Sequence, residues 1–378
     1  CKPTFMTSES YRVFRSAWYS GHSYRAGFML QASHFADVSG AWGISFTVWS
    51  EGQTRADERL MISLTDVEAC SVVRVDTKNL YSSQGRSMCA WLGSTTNGDI
   101  DTPKLSSGLV VKGDWAGGQA PGSFFTLCSN GNSLSKSATD VYLLSCKPSN
   151  HGIAQFESQT RNVRRCVTVF SVRKLVVGAW NSFTDEYLAP DESREGYLQW
   201  NDDAHVFALL HPSNNCTAMR DVSYASRKWT ISNHLFWRSR ATCLADLDTS
   251  HTLALYRDCK AHPASYVVPP PEGTPREQWE IDGDPYLAHV LPTLDLSPEA
   301  RDVLARLDAL WLASLPVRES FACARPELHL LAWDAGVYQL KHLWREHFAE
   351  DWEALRASHK RLADKLRPGV YDFGFLLR

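Results

Sequence analysis

Several things are missing from this sequence of 378 residues. No apolar run approaches the ~18 residues that a membrane-spanning helix needs, which excludes such a helix. The ten cysteines include no CxxC pair, which argues against a zinc ribbon and against a disulfide framework. None of the 13 histidines falls in HExxH or beside a cysteine at ligand spacing, so no metal site is expected. There is no GxSxG elbow, P-loop or GxGxxG, and therefore no evident loop for a nucleotide phosphate. Charge of one sign is also scarce. The net charge is -3, so any nucleic-acid contact must come from a local patch. We find no internal repeat and no low-complexity tract. The start at Cys1, without a basic stretch followed by an apolar one, reads as a chain that has lost its true N-terminus.

What is present is an ordinary globular composition, 44% hydrophobic and 21% charged. That excludes a disordered chain, and the length suggests roughly two to three domains. Scattered cysteines read as reduced thiols in a cytoplasmic protein. Tryptophan is abundant, at 14 residues, and most of those rings belong in the core.

The first region, 1–75, reads as a short amphipathic helix from Ser10 to Tyr19 followed by strands. Ala26 to Ala32 has strand length. In Trp42 to Trp49, the residues Trp42, Ile44, Phe46 and Val48 alternate with small or polar ones, the period-2 signature of a strand. The link between them, Phe35 to Ala41, exceeds a two-residue hairpin turn. Region 76–268 carries short apolar runs, including Gly108 to Val111, Ser123 to Leu127 and Val141 to Leu144, separated by Gly and Ser clusters. It reads as irregular α+β. Cys166 to Val177 fits a strand or a buried helix equally well.

The run Val267-Val268-Pro269-Pro270-Pro271-Glu272-Gly273 reads as a linker, because consecutive prolines stay extended. It opens a helical region, 269–378. There Ser297-Pro298 has the form of an N-cap with proline at the first helical position. Apolar stripes follow at Val303 to Leu315, Val337 to Phe348 and Trp352 to Leu366, and their plain reading is core packing. His347 and His359 lie on these stretches and read as exposed or satisfied residues.

Two features invite a chemical reading. Asp284-Pro285-Tyr286 has only one of the two prolines of the Asn/Asp-Pro-Pro-Tyr/Phe tetrapeptide, which holds an exocyclic amine in adenine methyltransferases. It also follows a proline-rich segment and not a strand, so it is set aside. Between 161 and 240 there are eleven Arg and Lys against eight Asp and Glu, interleaved with aromatics such as Trp180, Trp200 and Trp229. Such a patch can neutralise phosphates and stack bases, or it can be a solvated basic face. Arg161, Arg164, Arg165, Arg173 and Lys174 are the candidate DNA-phosphate contacts.

The segment from Phe28 to Trp49, with Leu30-Gln31-Ala32-Ser33-His34-Phe35-Ala36-Asp37-Val38-Ser39-Gly40-Ala41-Trp42-Gly43-Ile44-Ser45-Phe46 at its centre, resembles a stretch of large bacterial and phage adenine-specific DNA methyltransferases. Leu105 to Leu109, Arg173 to Leu175, Trp180-Asn181, Asp185 to Pro190, Trp333 to Lys341 and Pro368 to Leu376 are similar too. The resemblance runs in order over nearly the whole chain, but none of its strings is a catalytic signature.

The resemblance implies an α/β fold: the last strands of a Rossmann-like methyltransferase sheet, an α+β target-recognition region and a helical C-terminal part. It implies transfer of a methyl group from S-adenosylmethionine to adenine N6 in double-stranded DNA, with the base flipped out. It also implies a link to restriction-modification or phage DNA protection, including a restriction endonuclease activity. The family's cofactor loop and Asn-Pro-Pro-Tyr/Phe motif do not occur here and are expected upstream of Cys1, so no catalytic residue is assigned. By the same resemblance, Phe35 and Trp42 lie near the pocket for the extruded base and are candidates to stack on it. The alternative is that both anchor the loop. A non-catalytic DNA-binding specificity subunit is the alternative for the whole chain.

Overall fold

The computed structural model describes residues 2–377 except 56–58, 69–70, 82–86, 93–101, 105–115, 118–123, 130–131, 138–139, 146–154, 158–161, 225–226, 250–251 and 265–282. The run Gly108 to Val111, the proline-rich stretch 267–273 and Arg161 lie outside the described residues. Among the described residues, no helix is long and apolar enough to cross a membrane.

The chain is mixed α/β, with small mixed sheets and a helical C-terminal region. Helix α1 (Arg12–Gly21) follows a 3-10 turn, Glu9–Tyr11, capped by Ser8, whose hydroxyl accepts from the Ser10 N–H at 3.4 Å. It leads into β1 (His22–Gln31), β2 (Gly43–Glu51), β3 (Leu60–Glu68) and β4 (Ser71–Leu80). The spatial order is β2-β1-β3-β4. β1 and β2 are antiparallel from His22↔Glu51 to Gln31↔Gly43. β1 and β3 are parallel, and β3 and β4 antiparallel. The chain passes from β1 to β3 through β2, without a helical crossover. The sheet continues to Leu80, past residue 75.

Alternation sorts this sheet's residues onto two faces. Met29, Leu60, Ile62, Leu64 and Leu80 join Met6 and Tyr19 in a small core, with Trp18, Trp49 and Trp180 packed around it. The other face is open. Phe28 pairs with Phe46, their rings stacked at 5.0 Å. Val48 and Met61 stand beside them, about three-fifths exposed.

A second sheet is built from β5 (Thr126–Ser129), β6 (Val141–Leu144), β7 (Gln155–Glu157) and the two-residue β8 (Asn214–Asn215). Its order is β8-β6-β5-β7. Helix α2 (Val163–Leu175) resolves the stretch that fits a strand or a helix. Cys166, Val167, Val169, Phe170 and Val172 are all buried. A helix buried on every side has no polar stripe, so periodicity could not mark it. Helix α3 (Tyr197–Leu210) is equally enclosed and carries Asn201, Asp202 and Asp203 into the interior. Asp203 accepts from the Ser297 N–H at 2.9 Å and pairs with Lys365 at 2.9 Å.

A hairpin of β9 (Met219–Tyr224) and β10 (Arg227–Ile231) precedes α4 (Arg240–Asp248) and α5 (Leu253–Ala261). Helix α6 (Pro298–Ala324) starts as the sequence indicates, with Ser297 accepting from the Ala300 N–H at 3.3 Å and proline at the first turn. Helices α7 (Val337–His347) and α8 (Ala349–Leu366) complete the C-terminal region. One apolar core runs from Met88 to Leu376, so regions 76–268 and 269–378 share their interior.

Candidate functional site

Leu105 to Leu109 lies outside the described residues; several of the other strings that carry the resemblance fall at joints of the fold. Gly43 leaves no room for a side chain: a Cβ there would stand 2.7 Å from Met29 Sδ and 2.9 Å from the Trp180 carbonyl. Asp185 pairs with Lys78 of β4, and Thr7 donates to the Thr184 carbonyl at 2.9 Å. The Leu188 N–H donates to the Phe375 carbonyl at 2.8 Å. Gln339, wholly buried, accepts from the N–H groups of Gly336 and Ala218 and donates to the carbonyls of Ala218 and Leu328. A Cβ on Gly336 would collide with the Cys216 carbonyl oxygen. These residues hold segments together.

The link between β1 and β2 separates its two rings. The Ala32 N–H donates to the Trp42 carbonyl at 2.8 Å, and Gln31 Nε2 to the Gly40 carbonyl at 2.7 Å. Between these ties the chain bulges outward, with Asp37 at φ 60°. Phe35 is 42% exposed. Trp42 is half-buried, edge-on to Phe183 at 5.2 Å, with the Lys2 ammonium over its ring. Trp42 is thus built into the base of the loop, while Phe35 keeps a face toward solvent.

The basic stretch is not one surface. Arg164 is exposed and pairs with Asp202. Arg165 donates to the Trp91 carbonyl at 2.9 Å, lies over the Trp91 ring and meets Glu192 at 3.5 Å. Arg173 corrects the phosphate reading. It is fully buried, donating to Ser137 Oγ at 2.8 Å, Ser129 Oγ at 3.3 Å and the Ser133 carbonyl at 3.1 Å. Its guanidinium lies across the Tyr187 ring. A charge held this way is part of the core and cannot reach a phosphate. Lys174 is half-buried and donates to the Ser137 carbonyl at 2.7 Å. Burial, with the Arg173 charge adding to it, brings its pKa down to about 8.

Asp284-Pro285-Tyr286 is structural, as its single proline suggests. Asp284 accepts from the Arg240 N–H at 2.6 Å, and the buried Tyr286 stacks on Phe124 at 5.2 Å. Among the described residues, no cluster of three or more His, Cys, Asp and Glu is placed to hold a metal ion.

The residues that sequence reasoning missed line a cleft of about 540 Å3 where α3, α7 and α8 meet. Phe207 and His211 come from the end of α3. Tyr338, Lys341 and Arg345 come from α7, and Trp352, Arg356 and His359 from α8. Lys341 lies 4.0 Å from the Tyr338 ring centroid. Arg356 pairs with Glu353 at 3.0 Å, and Lys360 with Asp364 at 2.8 Å. His359 donates from Nε2 to the Phe207 carbonyl at 2.9 Å and stacks on the Phe207 ring. Burial, then the nearby Lys174 and His359, lowers the His211 pKa to about 3. Burial lowers that of His359 as well. Both rings are neutral at pH 7. The only sequence signal was Lys341 and Arg345 one helical turn apart, which reads as a solvated face.

Among the described residues, no strand passes through a glycine-rich turn into a helix N-terminus, the cradle that a nucleotide-like cofactor needs. None of them is assigned to S-adenosylmethionine, and no step is routed through it. Comparison with protein-family models, with curated proteins and with solved structures found no match to this chain.

Proposed function

We propose that the chain is the DNA-recognition part of a site-specific adenine-N6 DNA methyltransferase. It works in the cytoplasm, with S-adenosylmethionine as the methyl donor of the whole enzyme. The observation that carries this reading is the β1–β2 hairpin. The stretch that most resembles the methyltransferases folds into two paired strands, and their link presents the Phe35 ring to solvent. An extruded adenine that has lost its stacking neighbours gains about 1–3 kcal/mol from such a ring.

Among the described residues, the face with Phe28, Phe46, Val48 and Met61 carries no helix, whereas a Rossmann-like sheet has helices on both faces, so the reading draws no support from the layering of this sheet. Arg164 and Arg165 remain the accessible phosphate candidates of the basic stretch.

The second reading is a DNA-binding specificity subunit without catalysis. Binding of fluorescent duplex DNA by the 378-residue chain tests what the two readings share. We expect affinity to fall linearly in log–log terms with salt, by about 0.9 per phosphate contact. Absence of binding at low salt overturns both. Methyl transfer to adenine N6 by the native gene product then decides between them.

A further inference from the structure

We infer that the cleft between α3, α7 and α8 is a binding site for a small organic anion: one phosphate or carboxylate group on a flat, apolar body. The inference is independent of the DNA reading and concerns a different part of the molecule.

The charges come first. Lys341 and Arg345 lie one turn apart on α7, and among the described residues neither meets a carboxylate within 4 Å. The cleft's one acid, Glu353, is already paired with Arg356. Burial lowers the Lys341 pKa, and the Arg345 charge lowers it further. Like charges brought together without a counter-ion raise the energy of the empty cleft, and an anion between them would lower it.

The walls define the rest of the ligand. Phe207 carries the His359 imidazole stacked at 5.0 Å and meets the His211 ring at 5.4 Å. Tyr338 and Trp352 complete an aromatic lining. Trp352 is buried, and its indole N–H has no hydrogen-bond partner. A volume of about 540 Å3 lies in the range of pockets that enclose small ligands. It exceeds what inorganic phosphate fills, and it is too small for a DNA duplex.

The chemistry is common to nucleoside monophosphates and to aromatic carboxylates, so calorimetry on the full chain uses both. The probes are adenosine 5′-monophosphate, indole-3-acetate, adenosine and inorganic phosphate. At least one of the first two is expected to bind, with adenosine and phosphate each at least tenfold weaker. Preference for the nucleotide or for the carboxylate identifies the source. Arg345→Ala and Lys341→Ala are each expected to weaken binding at least fivefold with an unchanged melting temperature, whereas Arg301→Ala, outside the cleft, leaves it unchanged.

Equal affinity for adenosine and its monophosphate overturns the inference, as does binding that ignores both α7 substitutions. If none of the four probes binds but duplex DNA binding depends on Lys341 and Arg345, the cleft rim is a backbone contact. The small-ligand site is then wrong, while the DNA reading stands.

Discussion

Arg220 Nη2 donates to Asp334 Oδ1 at 2.6 Å, joining two points 114 residues apart, and Asp334 is wholly buried. The same guanidinium grips Asp258 at 2.9 and 3.1 Å, and the second Asp334 oxygen accepts from the Asn233 N–H at 3.0 Å. Burial alone would lower the Arg220 pKa; the two carboxylates outweigh it and raise it. Breaking a buried pair strands a charge at a cost of about 3–5 kcal/mol. Asp334→Asn is expected to lose that much in urea denaturation. A loss under about 1 kcal/mol would show that the joint bears little of the stability.

Gly336→Ala is expected to cost about 1–3 kcal/mol, because the new methyl meets the Cys216 carbonyl. Gly21→Ala, at the end of α1 with nothing within 4 Å of the new carbon, should gain about 0.4–1 kcal/mol by restricting the unfolded chain. A melting temperature that does not fall with Gly336→Ala would contradict the packing given for Gly336, and one that falls with Gly21→Ala would contradict the open space at Gly21.

His205 supplies a pH test. Burial lowers its pKa to about 4, and its Nε2 has no partner. Between about pH 4 and the ordinary value near 6.5, the unfolded chain binds a proton that the folded chain does not. Its contribution is therefore present above pH 6.5 and lost on acidification, at up to about 1.4 kcal/mol per pH unit. Asp185 and Glu186, whose pKa values burial raises, act in the opposite sense, so the comparison must be with a variant. His205→Phe should flatten the dependence between about pH 5 and 6; identical slopes would remove His205 from the account.

Arg173 and its neighbours separate core charge from surface charge. Arg173→Met is expected to cost about 2–4 kcal/mol through the stranded carbonyl and hydroxyl acceptors, with no change in the salt dependence of DNA binding. Arg164→Gln and Arg165→Gln should each reduce that slope by about 0.9. A slope indifferent to both would take α2 out of the interface.

For the hairpin link, Phe35→Ala should change stability by about 0.5 kcal/mol or less and weaken extrusion of 2-aminopurine in the whole enzyme. Trp42→Ala should cost about 2 kcal/mol, below the ~3–5 of a fully buried ring. Unchanged 2-aminopurine fluorescence with Phe35→Ala would end the stacking role.

Local signals were legible and depth was not. Alternation at Ile44, Phe46 and Val48 marked β2, and Ser297-Pro298 marked the start of α6, because both patterns are set within a few residues. α2 was ambiguous because all-round burial erases the helical period. Arg173 looked like a phosphate contact because sequence shows a charge but not the Ser129, Ser133 and Ser137 groups that enclose it. Nothing local announced the cleft. Its walls come from segments as far apart as Phe207 and His359, each of which reads as ordinary helix when taken alone.

Among the described residues there are two interiors: a small one under β1–β4 and a large one from Met88 to Leu376. Between them run mainly polar ties, Thr7 to Thr184 and Lys78 to Asp185, with Trp180 wedged at the seam. A sheet backed by so few buried side chains opens at lower free energy than helices enclosed on every side. Its amide protons are therefore expected to exchange with solvent deuterium through partial opening, and those of α2 and α3 through global unfolding. Loss of structure in β1–β4 is therefore expected to leave the larger core folded, the two opening as separate cooperative units.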